Sequence, residues 1–231
     1  MSHPSQPGQV KQSIHLEDAP YSVAEELANS LTHGLGAMLS VVGIALLLYY
    51  SSQMNDVWRM LSFSIYGFSL FSLYLASTLY HSIRHPDLKK LFKTLDHCAI
   101  YLLIAGSYTP FLLVSMRDTV GWPLFAVVWG IAVLGIGLKI AFAHRFHALR
   151  VATYLVMGWL VVLASTELGN ALATGGIVLL VAGGITYTLG VVFYAVERIP
   201  FNHAIWHLFV LGGSVLHYLA IFHYVMPQTL V

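Results

Sequence analysis

Apolar residues along the chain gather into seven long runs, parted by short stretches of charge, glycine and proline. A run of ~20 apolar residues is long enough, as a helix, to cross ~30 Å of hydrocarbon. The pattern predicts helices over Ala24 to Tyr50, Val57 to Ile83, Leu95 to Met116, Trp122 to Ala141, Val151 to Leu168, Gly175 to Ala195 and Asn202 to Met226. The breaks fall at "SSQMND", "RHPDLKKLFK", "RDTVG", "AHRFHALR", "GNALATGG" and "ERIPFN", all rich in helix-breaking or charged residues. Ser22 and Glu25 have the spacing of a capping box at the start of the first helix. The expected fold class is an all-α polytopic membrane protein, a seven-transmembrane helix bundle.

Composition supports that class. Of 231 residues, 58% are apolar and only 9% charged, against about 25% charged in a soluble domain. Net charge is +1 with no Lys/Arg cluster, so no nucleic acid partner is expected. Cys98 is the single cysteine, which excludes an internal disulfide and a thiolate metal cluster. Residues 1–20 read as a polar, disordered tail retained in the mature protein, and 21–231 as one membrane domain. Charge also sets an orientation. The N-terminal tail and the 2–3, 4–5 and 6–7 connections hold Lys11, Arg84, Lys89, Lys90, Lys93, Lys139, Arg145, Arg150 and Arg198, whereas the opposite connections hold only Arg59 and Arg117. That bias predicts a cytoplasmic N-terminus and an outside C-terminus. No sequence repeat suggests an inverted-repeat transporter.

Ionisable side chains inside a helical bundle are expensive and tend to mark function. Here they share one depth. Glu25, Asn29 and His33 step by four on the first helix; Ser77 and His81 do so near the end of the second. Asp96 and His97 open the third, and His203 and His207 open the seventh. With the predicted topology, all lie near the cytoplasmic interface. Two histidines at i and i+4 can bind one metal, and His81 as third ligand would leave a position for water, the open arrangement of catalytic zinc. Imidazole suits zinc, with iron, copper and nickel as alternatives. Asp96 reads as a direct ligand or as a hydrogen-bond acceptor for the bound water. Glu25 reads equally as a cap, and Asn29 with His33 as interhelical hydrogen-bonding groups. His97 lies about 100° around the helix from Asp96. His85, His144 and His147 read as solvated or head-group residues, and Lys139 as a snorkelling lysine. His217 is about 15 Å deeper than His207 at helical rise and outside the cluster; Gly183–Gly184 and Gly212–Gly213 read as close helix packing.

The segments "ELANSLTHGLGA", "STLYHS", "LDHCAIYLLIAGSYTP" and "HAIWHLFVLGGSVLHY", in this order, resemble the hemolysin III proteins, the bacterial branch of the progestin and adiponectin receptor family. The resemblance implies a seven-helix bundle with a cytoplasmic N-terminus in a bacterial inner membrane. It further implies zinc (Zn2+) held by His81, His203 and His207, with Asp96 near the metal water and Ser77 beside the site. Glu25, Asn29 and His33 match the first-helix motif and are candidates for an outer shell around the metal. The long N-terminal domain of the eukaryotic receptors is missing, so hormone binding is not implied.

Two function classes stay open on the sequence. One is a zinc-dependent hydrolase of a lipid amide or ester, ceramidase-like, with Asp96 and Ser77 as catalytic residues and a membrane lipid or fatty acyl substrate. The other is a non-enzymatic regulator of membrane state with a structural zinc, in keeping with the association of bacterial relatives with membrane fluidity and lipid homeostasis. A pore or cytolysin is a weaker third reading, because helices four to six offer no polar pathway.

Overall fold

A computed structural model describes residues 21–142, 147–196 and 198–226. The tail 1–20, His144, Arg145 and the side chain of His147 lie outside the described residues. Seven spans are long and apolar enough to cross a membrane, and no strand occurs among the described residues. The helices are α1 (Val23–Ser52), α2 (Val57–Ser82), α3 (Pro86–Pro110), α4 (Trp122–Ala141), α5 (His147–Gly158), α6 (Ser165–Ala171), α7 (Thr174–Ala195) and α8 (Asn202–Ala220), with α5 and α6 forming one span.

Local chemistry explains the helix starts. Ser22 Oγ accepts the Glu25 N–H at 3.2 Å, and Glu25 accepts the Ser22 N–H at 2.9 Å, closing the expected capping box. Asp56 caps α2 by accepting the N–H groups of Trp58 and Arg59. The third helix begins at Pro86 and not at Leu95. Pro86 occupies the first helical turn, where its missing N–H is not needed. The charged stretch that suggested a loop is instead the first part of this helix. Lys89 folds back from it to donate to Glu26 at 2.8 Å and to the Tyr80 carbonyl at 3.0 Å.

Three departures from regular helix were not legible in the apolar pattern. Wide π-type turns, Phe111–Ser115 and Arg117–Gly121, join α3 to α4 around Met116. In the fifth span, a 3₁₀ turn at Leu160–Ala164 separates α5 from α6. Tyr108 on α3 repairs that break: its hydroxyl donates to the Gly158 carbonyl at 2.8 Å and accepts the Val161 N–H at 3.0 Å. Finally, Phe201 precedes α8 with φ 57°, a left-handed conformation uncommon for a bulky residue.

The closest packing unites α1, α2 and α3 on one side and α7 with α8 on the other, with α1 also lying against α8. Tyr74 sits at the α1–α2–α8 junction, its hydroxyl donating to Ser214 at 2.8 Å and its ring filling the space at Gly36. Gly121 is required at the α3–α4 turn, since a Cβ there would run into the Leu112 carbonyl oxygen and lie 2.6 Å from that of Met116. Backbone atoms cannot step aside as side chains do. Gly121→Ala is therefore expected to destabilise the protein by about 1–3 kcal/mol, whereas Gly130→Ala, with open space around the new methyl, should be neutral or slightly stabilising. Thermal unfolding of the two variants in detergent checks the contrast.

Candidate metal centre

The turn at Phe201 starts α8 so that His203 and His207, four residues apart, face the same way. Both are buried, as is His81 in the last turn of α2. One ring nitrogen from each of the three lies within 4.8 Å of the other two. The rings crowd one another, with centroids 4.6 Å apart for His203–His207 and 5.1 and 5.2 Å from His81 to each. Metal–nitrogen bonds of about 2.0–2.1 Å would draw such nitrogens to roughly 3.4 Å in a tetrahedron, an ångström-scale contraction. Three imidazoles from two helices can thus hold one metal ion.

Helix α1 supplies the partners that fix how these rings are presented. His81 Nδ1 lies 2.7 Å from Glu26 Oε2, while its Nε2 is buried without a protein partner. The carboxylate holds the proton on Nδ1 and leaves the Nε2 lone pair for a metal, the usual outer-shell arrangement of a ligating histidine. His207 Nδ1 lies 3.1 Å from the Asn29 carbonyl, with Thr32 Oγ1 at 3.2 Å. A carbonyl can only accept, so Nδ1 is again the protonated nitrogen and Nε2 keeps the lone pair that could bind a metal. The buried, unpartnered Nε2 of His81 and the all-imidazole donor set fit a borderline ion such as zinc.

The outer-shell expectation shifts by one residue. The Glu25 carboxylate is spent on the cap with Ser22, and Glu26 makes the histidine contact. Glu26, Asn29 and His33 are spaced by three and four, so they share a face as well as the expected trio does; the cap, once satisfied by Glu25, decides between them. The Asn29 amide nitrogen lies 3.4 Å from His81 Nδ1. His33 stacks on His207 with centroids 3.5 Å apart and meets Tyr74 edge-on at 5.0 Å; neither of its nitrogens has a hydrogen-bond partner. Tyr21, which the pattern gave no reason to single out, places its ring against His81 and His203.

Asp96 and His97 on α3 both line one cavity with His33, His203 and His207, and neither belongs to the three-histidine group. Ser77, fully buried on α2, lies close enough to Asp96 to act on its charge. Lys139 does not snorkel: it is buried and its charge acts on both Asp96 and His97. The cavity has about 180 Å³ of free volume. It follows α3 and the wide turn after it from Asp96 to Met116, about 30 Å at helical rise. Beyond the histidines its wall is mostly apolar, built from α3, the broken fifth span, α7 and α8, and it includes Arg150, Tyr108 and Trp159.

Comparison with known proteins places the site in a family. The family description "Haemolysin-III related" matches residues 21–218, which include the whole histidine group. The chain belongs to the haemolysin-III related family. It is 49% identical over 205 residues to hemolysin-3 of Bacillus cereus, covering 89% of this chain and 94% of that one. Against the hemolysin-3 homolog of Bacillus subtilis (strain 168), identity is 45% over 204 residues, covering 88% and 96%. The human monocyte to macrophage differentiation factor is 34% identical over 208 residues, 87% of this chain and 84% of that one. This relative fits the link between hemolysin III proteins and the progestin and adiponectin receptor family. The haemolysin-III chain described here is thus a multi-pass membrane protein with three buried histidines able to hold a metal ion.

The α1 contacts generate a sharp expectation. Glu26→Ala should weaken metal retention about 10–100-fold, measured by competition with a chelator, while Glu25→Ala should leave it unchanged. Equal losses in the two variants would refute the assignment of Glu26 to His81.

Proposed function

We propose that this haemolysin-III protein binds zinc through His81, His203 and His207 and serves membrane lipid homeostasis by hydrolysing a lipid amide or ester. The observation that carries the reading is the pairing of a three-histidine group and a buried carboxylic acid, Asp96, with a long apolar cavity. Such a cavity suits an acyl chain, with the polar linkage at the histidine end.

A bound zinc ion supplies Lewis acidity and makes a water acidic enough to lose its proton near neutral pH. In the proposed reaction, Asp96 takes that proton from the attacking water and returns it to the leaving amine or alcohol, so that amide plus water gives carboxylic acid plus amine. Ser77, buried near Asp96 with its hydroxyl unpartnered in the protein, can donate to the oxyanion that develops on the carbonyl. The positive charge of Arg150 on the cavity wall suits the carboxylate product. The basic residues at this end of the bundle support a cytoplasmic site in a bacterial inner membrane.

A second reading, a structural zinc in a non-enzymatic regulator of membrane state, is favoured by the ligand distribution. His81 comes from α2 and the other two from α8, helices with little close backbone contact of their own. An ion there would tie the two packed halves together.

Metal analysis and turnover separate these outcomes. Purified protein should carry about one equivalent of zinc, and His81→Ala should lose it. If Asp96 is the acid–base group, Asp96→Asn should retain the metal and release fatty acid from a lipid amide at least about 100-fold more slowly. Zinc retention with no release by the wild-type protein from any lipid amide or ester would leave the structural reading. Absence of metal in gently purified wild type would remove both.

A further inference from the structure

The cavity has a second polar position that the histidine group does not use. His217 and Tyr187 line it from α8 and α7, and their rings meet nearly edge-on with centroids 5.3 Å apart. His217 is ten residues beyond His207, about 15 Å along the helix, and so well within the hydrocarbon. Its Nε2 lies 3.2 Å from the Leu180 carbonyl. Because the carbonyl can only accept, Nε2 carries the proton and Nδ1 holds a lone pair. That Nδ1 is buried with no hydrogen-bond partner in the protein. An acceptor left without a donor in an apolar medium is costly.

The fold makes room for this pair. A Cβ at Gly183 would collide with the His217 ring, and one at Gly213 would lie 2.8 Å from the Tyr187 ring. Tyr187 shares Ser214 Oγ with Tyr74, each hydroxyl 2.8 Å from it. Ser214 receives the proton of Tyr74 and can give its own to Tyr187, which frees the Tyr187 O–H to donate. The pair thus brings one acceptor, His217 Nδ1, and one donor, Tyr187 Oη, to the same part of the cavity wall. A hydroxyl group is the simplest partner that satisfies both. The surroundings (Leu180, Val181, Val210) are apolar and suit an alkyl chain.

We infer that His217 and Tyr187 form a second recognition point for the bound lipid, one that takes a hydroxyl on the alkyl chain roughly 15 Å from the metal end. The inference rests on the reading that an acyl chain occupies the cavity, but not on hydrolysis. One neutral hydrogen bond at such a point corresponds to about a five- to tenfold preference for the hydroxylated chain.

The test is binding of a positional series of hydroxystearic acids against stearic acid, with purified protein in detergent. One hydroxyl position should bind about five- to tenfold more tightly than stearic acid. Within His217→Phe, the preferred hydroxystearic acid should bind no more tightly than stearic acid does to the same variant; Tyr187→Phe should reduce the preference. His217→Gln, which keeps a donor for Leu180, serves if the phenylalanine variant does not fold, and a shift or loss of the positional preference is expected there too. Equal binding of all the acids would overturn the recognition point and mean that Nδ1 meets water only. No binding of any acid would instead overturn the acyl-cavity reading on which it rests.

Discussion

Each imidazole taken out of water brings two ring nitrogens into a medium that offers neither donors nor acceptors. How the His81 and His207 nitrogens are satisfied governs much of the arrangement at their end of the bundle. Helix α1 runs against both α2 and α8 and presents a polar stripe to them. From that stripe, Glu26 accepts a hydrogen bond from the Nδ1–H of His81 and the Asn29 carbonyl accepts one from that of His207. A main-chain carbonyl keeps a second lone pair beside its helical bond, and the Thr32 hydroxyl, 3.0 Å from this one, can instead turn its proton to the Ala28 carbonyl at 2.8 Å. Both rings are thereby fixed in the tautomer that turns Nε2 towards the shared centre. The histidines on α2 and α8 are therefore only half of the design; the helix that orients them contributes no ligand.

The same logic applies to the irregular backbone. Non-helical segments at membrane depth persist only where they are buried in protein or line a cavity. The break between α5 and α6 meets that condition in a specific way. Tyr108 occupies the gap in the hydrogen-bond ladder with a single hydroxyl, and the Trp159 indole donates to Thr188 on α7 at 3.0 Å. Gly158, Trp159 and Val161 then form part of the cavity wall. A straight fifth helix would not need either contact. The unwound turn thus belongs with the cavity and not with the general scaffold.

Much of this arrangement is legible in the amino-acid pattern. Seven apolar runs correspond to seven spans, and a shared depth brings His81, His203, His207 and Asp96 to one end of the bundle. Three features are not legible there. The choice between Glu25 and Glu26 depends on which carboxylate the Ser22 cap consumes, a competition between adjacent acids that spacing cannot rank. The start of α3 at Pro86 is hidden because charge reads as loop, whereas charged residues in a first helical turn can stand above the hydrocarbon and pair across to α1. The fifth-span break is invisible because "LVMGWLVVLA" is uniformly apolar; the group that satisfies the freed backbone, Tyr108, is 50 residues away in sequence.

The two readings of the metal site use the same three ligands, so the ligands cannot decide between them. The surrounding groups are more informative. A structural ion needs imidazoles held by an outer shell, and α1 already supplies that shell for His81 and His207. It does not need a carboxylic acid, which in a buried site is costly unless compensated. Yet Asp96 is buried on the wall of the same cavity as His203 and His207, with Ser77 and the charge of Lys139 close enough to offset part of that cost. A bound chain would bring its polar linkage to that wall. A residue that stability does not require, set where a substrate's reacting group would sit, argues for chemistry more strongly than the histidines themselves.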